Sequence, residues 1–495
     1  MNTTERLPNW LKKRAMLSPH RPAVEFEGKV LTFRELDLQA EEMAAKLATQ
    51  NLKRGDSCAV LIRNHKDSVI IIHALFYLGV KIVMLNTRLT AAELIWQLRD
   101  SEAKLLVSEQ AFFEKLNVIQ SSMQELPIIE KEALAFISGV EGVLILEEFD
   151  LSDIATIMYT SGTTGNPKGV IQTFGNHWWS AIGSVLNLGL TERDSWYCAV
   201  PIFHISGLSI FMRNVIYGMK VVLVEKFNEA EANQMIMGNG VTIISVVTAM
   251  LNRMLTDLRG DKYPATFRCM LLGGGPAPKH MLLECKEKGI PVYQTYGMTE
   301  TSSQIVTLSP EDSLQKIGSA GKTLFPSQLR IEKDGLEAEP NQPGEIVVKG
   351  PNVTKGYLNR KEATDEAIKN GWLYTGDIGY VDEEGFLFVM DRRSDLIISG
   401  GENVYPAEIE AVVGSHPDVF EAGVTGVSDE AWGQIAVAFV VSKPGSELTE
   451  QKIIEYCLTR LASYKVPKRI IFCEGLPRNA SNKLLRRELR KRLED

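Results

Sequence analysis

The sequence predicts an α/β fold: a large N-terminal domain of parallel-sheet α/β layers with a β-rich subdomain, and a small mobile C-terminal α+β domain. Three observations support this prediction. Strand and helix patterns alternate through residues 1–320, short strand patterns between Gly, Pro, Asn and Asp fill residues 321–390, and alternation resumes after residue 391. The chain has 495 residues, of which 44% are hydrophobic, so it is long enough to build more than one core.

The N-terminal part begins with two strand patterns around Glu27-Gly28-Lys29, a turn that predicts a hairpin. Apolar residues at helical spacing then alternate with short apolar runs that are typical of buried strands. The predicted elements are the strands 23–26, 30–33, 58–62 and 81–85 and the helices 33–47 and 67–78. Their alternation favours a largely parallel sheet covered by helices.

The middle of the chain continues this pattern, with buried strands predicted at 154–158, 241–247 and 269–272. The last of these strands runs into the turn Gly274-Gly275-Pro276. Ligands of open α/β sheets bind beyond the carboxyl ends of the strands, so this turn is a candidate wall against a flat nucleotide base. A plain strand-to-helix turn is the alternative.

The last third of the chain contains two further units. Short strand patterns predict the β-rich subdomain at 331–333, 345–349 and 385–390. A charged segment, 391–395, then separates two apolar strands, as expected of a domain boundary. We therefore predict a large domain of residues 1–391 and a small domain of residues 392–495.

The composition narrows the classes of function and location. The formal net charge of −8 argues against nucleic acid as the main partner. The six cysteines contain no C-x-x-C pair, so neither a zinc site nor a disulfide framework is predicted. No signal peptide is visible, and no apolar run reaches the roughly 18 residues of a membrane span. We expect a soluble cytoplasmic protein with reduced thiols and small-molecule substrates, for which a homo-oligomer is allowed.

A loop with the composition of a phosphate-binding site is Tyr159-Thr160-Ser161-Gly162-Thr163-Thr164-Gly165-Asn166-Pro167-Lys168-Gly169. Its glycines let backbone N–H groups face an anion, its hydroxyls donate further hydrogen bonds, and Lys168 adds a positive charge. The spacing G-x-x-x-x-G-K-S/T of a Walker A loop is absent. A solvated turn is the alternative for an isolated G-x-x-G, but the full stretch favours phosphate binding.

Two more motifs combine hydroxyl and acidic residues, one after a short strand and one with its acid after a turn. Tyr296-Gly297-Met298-Thr299-Glu300-Thr301 places a hydroxyl beside a carboxylate, so Thr299 is a candidate phosphate ligand and Glu300 a candidate Mg²⁺ ligand. Helix capping by Thr299 or Thr301 is the alternative. In Tyr374-Thr375-Gly376-Asp377, the Asp377 carboxylate can accept two hydrogen bonds from a vicinal diol, with an Asx-turn as the alternative.

These motifs, in this order from about residue 154 to 487, resemble those of the adenylate-forming superfamily. That superfamily includes acyl-CoA synthetases, nonribosomal-peptide adenylation domains and luciferases. The resemblance implies ATP, CoA and Mg²⁺ as cofactors and a reaction in two steps. A carboxylate attacks the α-phosphate of ATP to give an acyl-adenylate and pyrophosphate, and the thiol of CoA then displaces AMP.

The resemblance also implies roles for particular residues. Lys483 would be a mobile catalytic lysine that neutralises charge shared by the carboxylate and the α-phosphate. Asp377 would bind the ribose hydroxyls, and Arg392 the ribose and phosphate side. The family usually has Gly before this lysine, whereas this chain has Asn482, a residue type that tolerates left-handed backbone angles. The remaining nucleotide contacts would come from Thr160, Ser161, Gly162, Thr163, Thr164, Gly165, Lys168, Gly274, Gly275, Pro276, Tyr296 and Gly297.

Two further segments follow from the resemblance. The hinge pattern G-R-x-D is Asp391-Arg392-Arg393-Ser394 here, so Ser394 is the expected pivot and Asp395 the alternative acid. Gly400 and Gly401 would let the pantetheine arm of CoA pass close to the backbone.

His204, in Pro201–Gly207, would gate the acyl pocket, and it joins Lys483, Thr299 and Glu300 in the expected catalytic set. It is not expected to act as a base, because a carboxylate is already ionised at neutral pH.

The acid is expected to carry a second carboxylate. Ser206, Ser209 and Arg213 are spaced by three and four, so a helix would bring them to one face. Burying a second charge without partners would be costly, and this polar stripe would provide them. The stretches 172–177, 268–285, 293–310 and 477–489 resemble family members that act on 2-succinylbenzoate, an aromatic keto-diacid of menaquinone biosynthesis. The alternative for the stripe is that Arg213 extends to solvent and the serines cap the helix.

Three other functions stay open at this point. The chain is compatible with an acyl-CoA synthetase for another aryl or medium-chain acid, and with an adenylation module that loads a carrier protein. A nucleotide-binding regulatory protein with an inactive site is the non-enzymatic alternative. Retention of Lys168, Glu300, Asp377 and Lys483 argues against that last alternative.

Overall fold

The computed structural model describes residues 5–160, 167–238, 240–273, 277–392, 397–399, 402–404, 406–429, 432–461, 463, 465–479 and 482–493. The helices are α1 (Trp10–Leu17), α2 (Phe33–Ala48), α3 (Lys66–Tyr77), α4 (Ala91–Asp100), α5 (Phe113–Ser122), α6 (Lys131–Leu134), α7 (Phe174–Leu188), α8 (Ile205–Tyr217), α9 (Glu229–Gly238), α10 (Thr248–Leu258), α11 (Lys279–Glu287), α12 (Lys361–Ala367), α13 (Pro406–Gly414), α14 (Glu450–Leu458) and α15 (Arg486–Lys491).

The strands of the first two-thirds of the chain are β1 (Arg6–Pro8), β2 (Pro22–Phe26), β3 (Lys29–Thr32), β4 (Ser57–Val60), β5 (Lys81–Met84), β6 (Leu105–Ser108), β7 (Ile128–Glu130), β8 (Glu148–Asp150), β9 (Ile154–Thr160), β10 (Lys168–Thr173), β11 (Ser195–Cys198), β12 (Lys220–Leu223), β13 (Ile243–Val247), β14 (Cys269–Gly273), β15 (Val292–Met298), β16 (Ser303–Leu308) and β17 (Lys322–Thr323). The remaining strands are β18 (Gln328–Lys333), β19 (Leu336–Glu337), β20 (Gly344–Lys349), β21 (Ile368–Lys369), β22 (Trp372–Val381), β23 (Leu387–Arg392), β24 (Ile397–Ser399), β25 (Glu402–Val404), β26 (Val419–Asp429), β27 (Gly433–Ser442) and β28 (Arg469–Phe472).

Two large sheets form the first part of the molecule. One has the order β10-β9-β5-β4-β6-β7, and only β10 runs antiparallel to its neighbour. The other has the order β17-β16-β15-β14-β13-β11-β12-β2-β3 and is parallel from β15 to β2. The predicted α/β fold with largely parallel sheets is thus confirmed. Because the strands are buried on both faces, they read in the sequence as continuous apolar runs.

The predicted hairpin at residues 23–33 is present, but its place in the sheet was not predictable. Its strand β2 lies parallel to β12, with Val24 opposite Val221. Helix α2 starts directly after the hairpin, because Thr32 and Glu35 form a capping box at its N-terminus. The first hairpin of the chain therefore forms one edge of the second large sheet.

The β-rich subdomain is a separate sheet with the order β19-β18-β20-β22-β21, and β23 pairs with the other side of β22. Strand β23 begins at Leu387, two residues later than expected. Gly385 has a φ of +85° and closes a turn in which its N–H donates to the Asp382 carbonyl at 3.0 Å, so the extended backbone starts only after it.

The C-terminal part has its own sheet of β25-β24-β27-β26, with β28 parallel to β27. Helices α13 and α14 pack with this sheet around a separate apolar core that includes Val404, Ile409 and Ile453. All six cysteines are free, and five are buried. Within the described ranges, no helix is long and apolar enough to cross a membrane.

Candidate active site

The ends of the expected phosphate loop are held by a hairpin. Strand β9 carries four consecutive buried residues, as predicted, and pairs antiparallel with β10 so that Lys168 lies opposite Thr160. A distant segment runs along the other edge of β10. The Ile171 N–H donates to the Gly356 carbonyl at 3.0 Å, and the Leu358 N–H donates to the Gly169 carbonyl at 2.8 Å. The loop therefore emerges from a strand pair fixed on both sides.

The Thr299–Glu300 motif lies in the tight connection between β15 and β16. Gly297 is required there, because a Cβ atom at this position would lie 2.1 Å from the Ser303 carbonyl oxygen. Residues Thr299–Thr301 form a 3₁₀ turn, and the Thr301 hydroxyl accepts from the Met298 N–H at 3.0 Å. Thr301 thus takes the capping role that was one alternative, and Thr299 and Glu300 precede it in the same turn.

A buried hydrogen-bond network connects this turn to strands β9 and β10. Gln172 on β10 donates its side-chain amide to the Thr299 carbonyl at 2.9 Å, and its amide oxygen accepts from the Thr156 hydroxyl at 2.8 Å. The Thr156 hydroxyl has one proton, which Gln172 receives, so His177 Nε2, 2.8 Å away, must carry a proton and donate to Thr156. Burial lowers the pKa of His177 to about 3, so the ring is neutral.

Glu300 and Lys168 both contact one tyrosine, Tyr357. The Tyr357 hydroxyl donates to Glu300 Oε1 at 3.1 Å, and the Lys168 ammonium lies 5.0 Å from the centre of the Tyr357 ring. Burial and the neighbouring Glu300 carboxylate raise the pKa of Tyr357, so its hydroxyl keeps its proton. The Thr354 N–H, three residues earlier, donates to the Glu300 carbonyl at 2.7 Å.

Asp377 lies inside strand β22, and its side chain contacts Tyr296 on β15. Its Oδ2 accepts from the Tyr296 hydroxyl at 2.8 Å, and the residue is only 6% exposed. Arg392 is its backbone partner in the antiparallel pair of β22 and β23. The structure therefore brings together three residues that are far apart in the sequence and that the resemblance connects with the nucleotide.

The predicted polar stripe lies on α8, which follows His204 as its N-cap residue. Ser209 is 3% and Arg213 1% exposed, so the alternative in which Arg213 extends to solvent is wrong. Ser206 is exposed, one turn before Ser209. Glycine is required at position 207, because a Cβ there would lie 2.2 Å from the Pro201 carbonyl oxygen.

The buried guanidinium of Arg213 has polar neighbours and an aromatic one. Its Nη2 donates to the Ser303 hydroxyl at 3.2 Å, and the Ser209 hydroxyl lies 3.5 Å from the same oxygen. The guanidinium lies 5.3 Å from the Trp196 ring centre. Burial lowers the pKa of Arg213. Its Nε has no hydrogen-bond partner, and no carboxylate pairs with the group, among the residues that the structure describes. A buried cation of this kind is suited to an anionic ligand.

The expected catalytic lysine lies in a compact turn before α15. Asn482 has a φ of +62°, in the left-handed region that Asn tolerates. Asn479 closes the turn: its side chain accepts from the Lys483 N–H at 2.8 Å, and its N–H donates to the Lys483 carbonyl at 2.9 Å. The Lys483 side chain is exposed.

Metal binding at this site would depend on the nucleotide. No group of three or more His, Cys, Asp or Glu residues that suits a metal ion occurs in the part of the chain that the structure describes. Mg²⁺ is commonly held by one or two carboxylates together with substrate phosphates and water. A single half-buried carboxylate, Glu300, beside a phosphate-loop lysine fits that donor set.

Several predicted residues lie outside the described ranges, and their roles stay predictions. They are Ser161, Gly162, Thr163, Thr164 and Gly165 of the phosphate loop, Gly274, Gly275 and Pro276 of the glycine turn, Ser394 and Asp395 of the hinge, and Gly400 and Gly401 of the expected CoA path.

The structure adds residues that the sequence did not reveal. Tyr357, Ser303 and Gln172 contact the motif residues, although each is distant in sequence from the residue that it contacts. The sequence signal of Tyr357 is an aromatic residue after a glycine, which is too common to mark a site. Ser303 belongs to an apolar strand pattern, so its contact with α8 depends on the tertiary fold alone.

Comparison with known proteins gives two family matches. The model described as AMP-binding enzyme matches residues 11–358. The model described as AMP-binding enzyme C-terminal domain matches residues 408–483. The first match includes the phosphate loop and the Thr299–Glu300 motif, and the second ends at Lys483.

Full-length relatives agree with these matches. The 2-succinylbenzoate–CoA ligase of Geobacillus kaustophilus (strain HTA426) is 59% identical over 485 residues, which cover 98% of both chains. The o-succinylbenzoate CoA synthetase of Bacillus subtilis in complex with the acyl-adenylate intermediate OSB-AMP is 49% identical, with a TM-score of 0.93 over 98% of both chains. Its complex with ATP and a magnesium ion has the same identity of 49% and TM-score of 0.93 over 98% of this chain and 100% of that one.

A third structure of the Bacillus subtilis synthetase superposes less well on this chain than the other two do. Its double mutant bound with the product analogue OSB-NCoA is also 49% identical and covers 98% of both chains, but the TM-score is 0.76. The chain therefore belongs to the adenylate-forming family of AMP-binding enzymes, and it matches 2-succinylbenzoate–CoA ligases over 98% of its length.

Proposed function

We propose that this chain converts 2-succinylbenzoate to its CoA thioester through an acyl-adenylate, with ATP, Mg²⁺ and CoA, as a step of menaquinone biosynthesis. The buried Arg213, beside Ser209 and Ser303, is the observation that supports this acid best. An apolar acid would leave that cation without a counter-charge, whereas the second carboxylate of a diacid would supply one.

Adenylation joins two anions, so the residues act mainly by positioning and charge neutralisation. Thr160, Lys168 and Thr299 would bind the phosphates of ATP. Mg²⁺, when bound with ATP, would neutralise charge on the phosphate oxygens, and Glu300 is the carboxylate that we assign to hold it. Asp377 would accept from the ribose hydroxyls, with the Tyr296 hydroxyl orienting its carboxylate.

Lys483 would complete this arrangement in the first half-reaction only. Its ammonium would neutralise the charge that the attacking carboxylate and the α-phosphate share, while His204 would line the acyl pocket at the start of α8. No side chain needs to remove a proton, because the carboxylate is ionised at neutral pH.

We also propose that the domains 1–391 and 392–495 reorient about Ser394 between the two half-reactions, with Asp395 as the alternative pivot. Strand β23 ends at Arg392 and β24 starts at Ile397, so this segment connects two sheets. The lower TM-score with the OSB-NCoA complex than with the OSB-AMP complex supports two arrangements in the family. Gly400 and Gly401 would line the CoA path in the second arrangement.

The test is a substrate panel with two readouts. Pyrophosphate release with ATP and acid reports adenylation, and acyl-CoA formation reports the complete reaction. We expect 2-succinylbenzoate to give the highest kcat/KM, with release of AMP. A preference for octanoate or benzoate would contradict the proposed acid, and thioester formation on a carrier protein without CoA would contradict the proposed acceptor.

A further inference from the structure

We infer that Tyr357 is a positioning residue that keeps the Glu300 carboxylate and the Lys168 ammonium apart and available to Mg·ATP. This inference rests on the adenylation step of the proposed function, but it does not depend on which acid is the substrate. Two contacts of Tyr357 support this inference: its hydroxyl donates to Glu300 Oε1 at 3.1 Å, and the Lys168 ammonium lies 5.0 Å from the centre of its ring.

The position of Tyr357 is fixed by its backbone. Tyr357 forms an antiparallel bridge with Val170 of β10, and its N–H donates to the Thr364 hydroxyl at 3.0 Å. The preceding Gly356 has a φ of +137°, and a Cβ there would lie 2.3 Å from Thr364. The tyrosine is thus held against the hairpin that carries the phosphate loop, so its ring and hydroxyl reach the site in a defined orientation.

The chemistry of this arrangement explains why a tyrosine suits it. A carboxylate has two oxygens, so donation by Tyr357 to one oxygen orients Glu300 and leaves the other for a metal ion. The ring face attracts the ammonium of Lys168 without neutralising it. No ion pair joins Lys168 to Glu300 among the residues that the structure describes, so each charge is kept for a different part of Mg·ATP.

Equilibrium binding of ATP distinguishes a positioning role of Tyr357 from a purely structural one. Isothermal titration would measure the Kd of ATP with Mg²⁺ and with EDTA, in the absence of acid and CoA. Tyr357→Phe keeps the ring and removes the hydroxyl, so we expect the Kd of Mg·ATP to rise about fivefold, with little change for ATP in EDTA. Tyr357→Leu also removes the surface under Lys168, so both Kd values should rise.

The chain provides a matched control. Tyr77 also donates to a carboxylate, Asp37, at 2.5 Å, and Lys12 lies 5.5 Å from its ring, but this cluster joins the N-terminal helices. Tyr77→Phe should leave both Kd values unchanged. An unchanged Kd of Mg·ATP in Tyr357→Phe, or an equal loss with and without Mg²⁺, would overturn the inference.

A double-mutant cycle keeps the test decisive if one variant is unstable. In a Glu300→Gln background, Tyr357→Phe should have no further effect on the Kd of Mg·ATP, because its partner carboxylate is gone. Additive losses would overturn the inference. A wild-type protein that binds Mg·ATP but forms no adenylate with 2-succinylbenzoate would contradict the proposed acid and leave this test intact.

Discussion

The Tyr296 hydroxyl donates to Asp377 Oδ2 across 2.8 Å, and this bond joins the second large sheet to the β-rich subdomain. Tyr296 precedes the Thr299–Glu300 turn on β15, and Asp377 lies on β22 opposite Arg392. A residue expected to contact the nucleotide is therefore bonded directly to the residue expected at its ribose. The bond also helps to orient the Asp377 carboxylate.

Asp377→Asn should raise the KM for ATP about tenfold or more, because hydrogen bonds to a charged carboxylate are stronger than those to an amide. Tyr296→Phe should raise it less, since the ring remains. Pyrophosphate release at varied ATP measures both effects. Asp382→Asn, in the same subdomain but paired with Lys316, is the control and should leave the KM for ATP unchanged. A normal KM in Asp377→Asn would exclude the ribose assignment.

Lys483→Ala should lower acyl-adenylate formation roughly a hundredfold or more, since a lost charge interaction in the transition state costs a few kcal/mol. The same variant should still form thioester from synthetic acyl-adenylate and CoA. Lys491→Ala removes another exposed lysine, which pairs with Glu488 on α15, and should affect neither half-reaction. Pyrophosphate release near the wild-type rate in Lys483→Ala would refute the proposed role.

Arg213→Leu should raise the KM for the diacid and hardly affect that for benzoate, because only the diacid brings a second charge to this position. Ser209→Ala should have a smaller effect in the same direction. The free energy of unfolding of Arg213→Leu, from urea melts, should not fall, because the variant no longer buries an unpaired cation. If both acids lose activity equally, or if the variant is much less stable, Arg213 has a structural role instead.

The stability of the folded protein should fall in mild acid partly because of His177. Its pKa is lowered to about 3 in the folded state, against about 6.5 in an unfolded chain, so between these values the unfolded state binds the extra proton. The free energy of unfolding should therefore fall as pH decreases from about 6.5 toward 3, by up to about 1.4 kcal/mol per pH unit from this group.

Urea melts at pH 7 and pH 5 would test this dependence. His177→Gln should be less stable at pH 7 but should show a smaller difference between the two pH values. His280→Gln, at an exposed histidine, should keep the wild-type difference. An undiminished pH dependence in His177→Gln would assign it to other groups, such as the buried His73, whose pKa is lowered to about 4 by burial.

Local patterns were sufficient for much of the fold. The apolar runs at β4, β5 and β13 and the helical spacing of α2 and α8 predict elements that are present, because burial on both faces leaves a continuous apolar run and burial on one face of a helix leaves a periodic one. The motif residues Thr299 and Glu300 were predictable for a related reason, since they follow a strand at the edge where ligands bind.

The remaining features depend on contacts between distant segments. The spacing of Ser209 and Arg213 placed them on one face, but whether the arginine reached solvent was decided by Ser303, ninety residues later, and by Trp196. Tyr357 is close to Lys168 and Glu300 only because residues 354–358 lie along β10. Such proximity leaves no periodic trace in a single sequence.

The pairing of β2 with β12 has a consequence for the order in which the chain is made. Val24 leaves the ribosome well before its neighbour Val221, which follows roughly 200 residues later. At ordinary rates of translation, the edge of β2 waits about ten seconds or longer for its partner strand. During that time its backbone groups are open to pairing with another chain. A nascent chain stalled before residue 220 would therefore expose an incomplete sheet, and aggregation rather than loss of chemistry would be its first failure.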